Sequence, residues 1–175
     1  YIFRRYSSGS ALHMARSDQN GKLTTQGYEI GGGWTSYKWT LIGDVTKDGL
    51  DDVVICSKTS GTIHVFPGDG ASGIINSRIT SKIGTKTDDS GTNFYLVDFN
   101  EDGVYDLIWN DLASGENGNQ MQISIADGTG KFVGSGSLIA HPSAREHWLQ
   151  LGNTMYPCDL NSYQTTDLVW VSATK

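Results

Sequence analysis

Short apolar runs, rich in β-branched and aromatic residues, recur along this chain behind stretches of Asp, Asn, Thr and Gly. Val53, Val54 and Ile55 follow DVTKDGLDD, Leu107, Ile108 and Trp109 follow DFNEDGVYD, and Leu168, Val169 and Trp170 follow DLNSYQTTD. Runs of this kind bounded by turn-forming residues predict strands, and no amphipathic helical period interrupts them. Before each polar stretch lies another apolar segment, at Trp39 to Gly43, Phe94 to Val97 and Thr154 to Cys158. A second recurrence is aligned on an aspartate. Leu12, His13 and Met14 precede Asp18, Ile63, His64 and Val65 precede Asp69, and Met121, Gln122 and Ile123 precede Asp127, each followed by a Gly-rich turn and an apolar residue.

Each repeat therefore reads as an inner strand, a polar loop, a second strand, a hairpin, a third strand, a glycine turn and a fourth strand. The hairpin is short around Thr59 to Gly61 and longer over Asp111 to Asn119. Loops starting at 44, 98 and 159 give a repeat of about 60 residues, the scale of a propeller or another repeat array. Four strands per unit is the propeller blade. The expected fold is all-β, with three four-stranded blades in one repeat domain, at about 34–86, 87–140, and 141–175 joined to 1–33. On this reading one blade is divided between the chain ends. Three blades are fewer than a closed propeller normally uses, so completion by oligomerisation is expected, as a head-to-tail homodimer with six blades.

The polar loops carry the candidate chemistry. Asp98, Asn100, Asp102 and Asp106 stand at offsets 1, 3, 5 and 9 with Gly103 at offset 6, and Asp44, Thr46, Asp48, Asp52 and Gly49 repeat the arrangement. Short oxygen-bearing side chains on alternate residues, followed by a glycine that permits a sharp turn, suit a hard cation surrounded by one loop. The other reading is a set of Asx turns closing a hairpin without metal. In the third copy Asp159, Asn161 and Asp167 remain, but Tyr163 and Gln164 replace the central acid and the glycine, which makes it a degenerate loop. An EF-hand would need a bidentate Glu at offset 12 and flanking helices; Ile55, Trp109 and Trp170 stand there instead.

A loop of the form D-x-[DNT]-x-D-G-x-x-D ahead of an apolar strand resembles the FG-GAP or VCBS repeat family, the calcium-loop blades of integrin alpha-subunit propellers and of several secreted lectins and toxin subunits. The resemblance implies Ca²⁺ at two loops, with a third site doubtful. It also implies that the carbonyls of Leu50 and Val104 join the ligands of the first and second loops. A secreted binding module follows from it, above all for carbohydrate. The alternative is a protein-interaction or adhesion scaffold directed at a cell-surface protein, or a part of a larger toxin or extracellular enzyme.

Charge and composition narrow the partners. The 175 residues carry a net charge of −6 with 22 glycines, and clustered loop carboxylates repel one another unless a cation offsets them. Nucleic acid is not an expected partner, and no apolar stretch is long enough for membrane insertion. Cys56 and Cys158 read either as small buried hydrophobes or as a disulfide pair. A chain opening on Tyr1 reads as a mature secreted protein or as an excised fragment.

No G-x-S-x-G or H-E-x-x-H motif is present, and His13 and His64 occupy matching repeat positions, as exposed strand residues would. A non-enzymatic protein is expected. Trp109 and Trp170 share their repeat position with Ile55, which marks them for blade packing. Trp34, Tyr37, Trp39 and Trp148 lie ahead of the loops and are the candidate ligand-binding aromatics, since aromatic faces stack on sugars and anchor protein interfaces.

Overall fold

The computed structural model of the chain describes residues 2–5, 12–18, 20–30, 37–57, 60–71, 77–83, 93–111, 120–140, 154–158, 160 and 167–171. Every described element is a strand, and every pairing is antiparallel between neighbours in sequence. Strands β1 (Ile2–Arg5), β2 (Leu12–Ser17) and β3 (Leu23–Ile30) form a three-stranded sheet. Then come two complete four-stranded meanders. The first holds β4 (Tyr37–Gly43), β5 (Asp52–Ser57), β6 (Thr62–Phe66) and β7 (Ile79–Lys82). The second holds β8 (Phe94–Val97), β9 (Asp106–Asp111), β10 (Gln120–Ala126) and β11 (Phe132–Ala140). A hairpin of β12 (Thr154–Cys158) and β13 (Asp167–Val171) closes the series.

Burial follows from the stacking of these sheets. In β9 the side chains alternate between two faces, as strand geometry requires. Leu107 and Trp109 pack toward the preceding sheet with Val54, Cys56, Ile63, Val65 and Ile83, joined by Phe94, Ala126 and Phe132. Ile108 points the other way, into a second cluster with Val97, Met121 and Ile123 that Leu168 of β13 meets. An inner meander strand covered on both faces reads as a near-continuous apolar run, and β5 is buried at all of its residues, with Val53 to Cys56 apolar between the buried Asp52 and Ser57. The outer β7 has only one covered face, so its residues alternate between half-buried and exposed. Each fully buried Leu or Val of this core contributes about 1.5–3 kcal/mol.

Residue-by-residue register places β1 in the repeat. Met14 faces Phe3, Val65 faces Val54 and Ile123 faces Ile108, so β1 stands where β5 and β9 stand in the complete meanders. The β13 strand holds the same place behind its own loop, opposite β12. The described chain ends form two sheets, one of three strands and one of two. Strand β1 duplicates the role of β13; apolar pattern alone marks a strand without giving its rank in a sheet.

Cys56 and Cys158 are free thiols, the first fully buried. Burial pushes the Cys56 thiol far above its ordinary value, so it packs as a small neutral hydrophobe.

Candidate metal loops and the joint between blades

The loops that connect β4 to β5 and β8 to β9 have the same backbone. Gly49 and Gly103 both adopt φ of 82°, and the residue two places earlier is also left-handed, with φ of 60° at Lys47 and 61° at Glu101. The glycines were legible as turn residues. Lys47 and Glu101 were not, because neither side chain favours a conformation that costs non-glycine residues about 1–2 kcal/mol.

This double turn aims loop amides at the first aspartate. Asp44 accepts from the amides of Asp48 at 3.3 Å and Gly49 at 2.8 Å, and Asp98 accepts from those of Asp102 at 3.1 Å and Gly103 at 2.9 Å. The central acids close the next turn, Asp48 accepting from the Leu50 amide at 2.9 Å and Asp102 from the Val104 amide at 2.8 Å. Asn100 lies beside Asp102 and donates its Nδ2 to that carboxylate at 2.9 Å. Leu50 is exposed, whereas Val104 is buried against the preceding sheet.

The closing aspartates behave differently. Asp52 and Asp106 are fully buried. Asp52 accepts from the amides of Val45 at 2.9 Å, Thr46 at 3.0 Å and Gly68 at 2.9 Å, with the Thr46 hydroxyl at 3.4 Å. Asp106 accepts from the amides of Phe99 at 3.2 Å and Ala126 at 2.8 Å. Each therefore ties the start of its loop to the end of the third strand of its own blade. Burial raises both carboxyls above the ordinary range, opposed by these amides. In the third copy Asp167 keeps one such bond, from the Leu160 amide at 2.9 Å. Asp159 and Asn161 lie outside the described residues.

The donor set, carboxylate, amide and hydroxyl oxygens on a sharply turned loop, fits a hard cation. In the described arrangement those oxygens face amides, and no three His, Cys, Asp or Glu side chains among the described residues are grouped closely enough to hold an ion.

Across the two blades the loops touch. The Tyr105 amide donates to the Asp44 carbonyl at 3.0 Å, the Gly130 amide to the Val45 carbonyl at 3.1 Å, and Lys47 Nζ to the Asp102 carbonyl at 2.7 Å. A Cβ on Gly43 would meet the Tyr105 ring at 3.0 Å, so that glycine lets the ring lie against the inner strand. No sequence signal marked this joint, because its partners are far apart along the chain.

Of the candidate aromatics, Trp39 is half-buried, its ring edge-on to Phe94 at 4.7 Å, and Phe94 stacks on Trp109 at 5.9 Å. Trp39 thus lines the core between blades. Tyr37 lies edge-on to His64 at 5.3 Å, and the His64 ring meets the Thr80 hydroxyl at 2.9 Å. His64 is buried rather than exposed, since β6 is covered on both faces. Trp34 and Trp148 lie outside the described residues. Among the described residues the exposed aromatics are Phe99, Tyr105 and Tyr156, which alternation patterns did not single out.

Stacked antiparallel meanders with carboxylate loops between their first and second strands define an all-β, propeller-like repeat protein. Residues 44–109, from the first loop through Trp109, match the family model of the FG-GAP-like repeat. No curated protein matches the chain. Among solved structures, the fold is similar to that of an Agrocybe aegerita lectin whose structure accounts for specific recognition of non-reducing terminal N-acetylglucosamine. The TM-score is 0.64 at 12% identity, over 92% of this chain and 41% of the lectin. This chain spans well under half of that protein's length, and the likeness is one of fold.

Proposed function

We propose that this chain is a secreted, non-catalytic, calcium-stabilised carbohydrate-binding module. The observation that carries the reading is the fold, which follows a terminal N-acetylglucosamine-binding lectin over 92% of the chain. The paired loops support the calcium part. Asp44, Thr46, Asp48 and Asp52, and Asp98, Asn100, Asp102 and Asp106, place oxygen donors on one repeated backbone turned by Gly49 and Gly103. The carbonyls of Leu50 and Val104 complete the two sets in this proposal. Binding of an ion to the folded loops alone stabilises the fold by mass action.

Glycan panels that include terminal N-acetylglucosamine test the carbohydrate reading. Retention on immobilised glycans is expected to exceed binding to the free monosaccharide strongly, because weak equivalent sites gain from effective concentration. Absence of binding across a broad panel would overturn it in favour of an interaction scaffold. That second reading draws on apolar surface: Leu160 is 71% exposed, and Tyr156 and Val171 of the same hairpin are about half exposed. The same surface supports assembly into a head-to-tail homodimer.

A further inference from the structure

We propose that the two carboxylate loops work as one coupled unit, with Lys47 as the positioning residue that carries the state of the second loop to the first. The cation-dependent half of this proposal rests on the calcium reading above; the coupling itself does not.

Among the described residues, hydrogen bonds cross from one blade to the next at the loops, where the acceptors are the main-chain carbonyls of Asp44, Val45 and Asp102, and at the outer strands, where the Phe132 amide donates to the Ser81 hydroxyl at 2.9 Å. Asp44 and Asp102 are also the residues whose carboxylates organise their own loops. The Asp44 carboxylate holds the Asp48 and Gly49 amides while its carbonyl takes the Tyr105 amide. The Asp102 carboxylate holds the Val104 amide while its carbonyl takes the Lys47 ammonium. Movement of either residue therefore disturbs bonds in both loops.

Lys47 reaches Asp102 from a left-handed backbone, between Asp44 and Gly49, with its stem against the Gly128 turn. The matching residue of the second loop, Glu101, has the same φ but a side chain that cannot donate to a carbonyl. The strap is thus specific to the pair formed by the first and second loops. Val104, whose carbonyl belongs to the proposed second ligand set, is buried at this joint, while its counterpart Leu50 is exposed. The second loop is the better supported of the two, and coupling passes that support to the first.

Amide hydrogen exchange tests the coupling in excess chelator, with calcium titration as a separate arm. Disrupting the second loop by Asp98→Ala, or more mildly by Asn100→Ala, is expected to speed exchange at Asp48 and Gly49 of the first loop about five- to tenfold. Unchanged exchange at Val54 and Ile63 in the core certifies that the fold survives. With Lys47→Met the same disruption should add less than twofold, and Lys47→Arg should restore the response. In the calcium arm, loss of the second loop should weaken the first site by a similar factor. Unaltered exchange at Asp48 and Gly49 in both loop variants overturns the coupling. An equal response with Lys47→Met overturns the role of Lys47. Coupled exchange in a protein that takes up no calcium would leave the coupling standing and overturn the calcium reading alone.

Discussion

Asp52 and Asp106 do two jobs that a motif reading merges into one. As members of a cation loop they would be ligands; in the fold they are buried acceptors that fasten the loop to the third strand of its blade. Removing an ionised acceptor from buried amides costs about 1.5–3 kcal/mol. Asp52→Asn is therefore expected to lower stability by about that amount in urea titration even with excess chelator present, because its amide group turns a donor toward Val45, Thr46 or Gly68. Asp48→Asn, on an exposed residue, should cost little under the same conditions.

His64 makes a second prediction at this scale. Burial, and then the charge of Arg78, lower its pKa below the ordinary 6.5. The unfolded chain consequently takes up the proton first as pH falls. The stability that neutral His64 contributes is complete above pH 6.5 and is lost as the pH drops from there through the lowered folded value. Melting temperature should decline between neutral and mildly acidic pH, and His64→Gln should flatten that decline. An identical pH profile in the variant would assign the acid sensitivity to other groups.

At the scale of elements, glycines separate turn strain from close approach. At Gly49 and Gly103 the space a Cβ would take is open, so alanine there brings left-handed strain alone, about 1–2 kcal/mol. At Gly68 a Cβ would stand 2.7 Å from the Asp51 carbonyl, a main-chain atom, beside the amide that serves Asp52. Overpacking of this kind costs about 1–3 kcal/mol, and the lost Asp52 bond adds to it. Gly68→Ala should thus exceed Gly103→Ala in its effect on the urea midpoint. The spacing of the loop glycines was readable from the chain; the demand at Gly68 was not, since it arises from a neighbour in another turn of the same blade.

For the whole molecule, chelation and assembly are the decisive measurements. Excess chelator is expected to lower the melting temperature, with Asp98→Ala or Asp102→Ala acting in the same direction and more strongly than Asp159→Ala. An unchanged melting curve in chelator would remove calcium from the account. Light scattering tests the homodimer: twice the chain mass is expected, and a compact monomer would exclude it. The five strands at the chain ends bear on how such a joint is made. Strands β1 and β13 hold the same repeat position, so a dimer built from them must accommodate two second strands or displace one.

The sequence by itself determined the parts whose causes are local. Alternation and β-branched runs specified the strands, the offsets of Asp44 through Asp52 and Asp98 through Asp106 marked the loops, and glycine marked their turns. Those features depend on neighbours a few residues away. Only the tertiary structure decided which strand position β1 takes, that Trp39 lines the core beside Phe94, that His64 is covered, and that Lys47 spans to Asp102. Each of these depends on which sheet stacks against which, and stacking brings together residues such as Val45 and Gly130 whose separation along the chain carries no signal. A chain of similar repeats presents the same local pattern many times over, so the pattern names the unit, and packing alone tells one unit from the next.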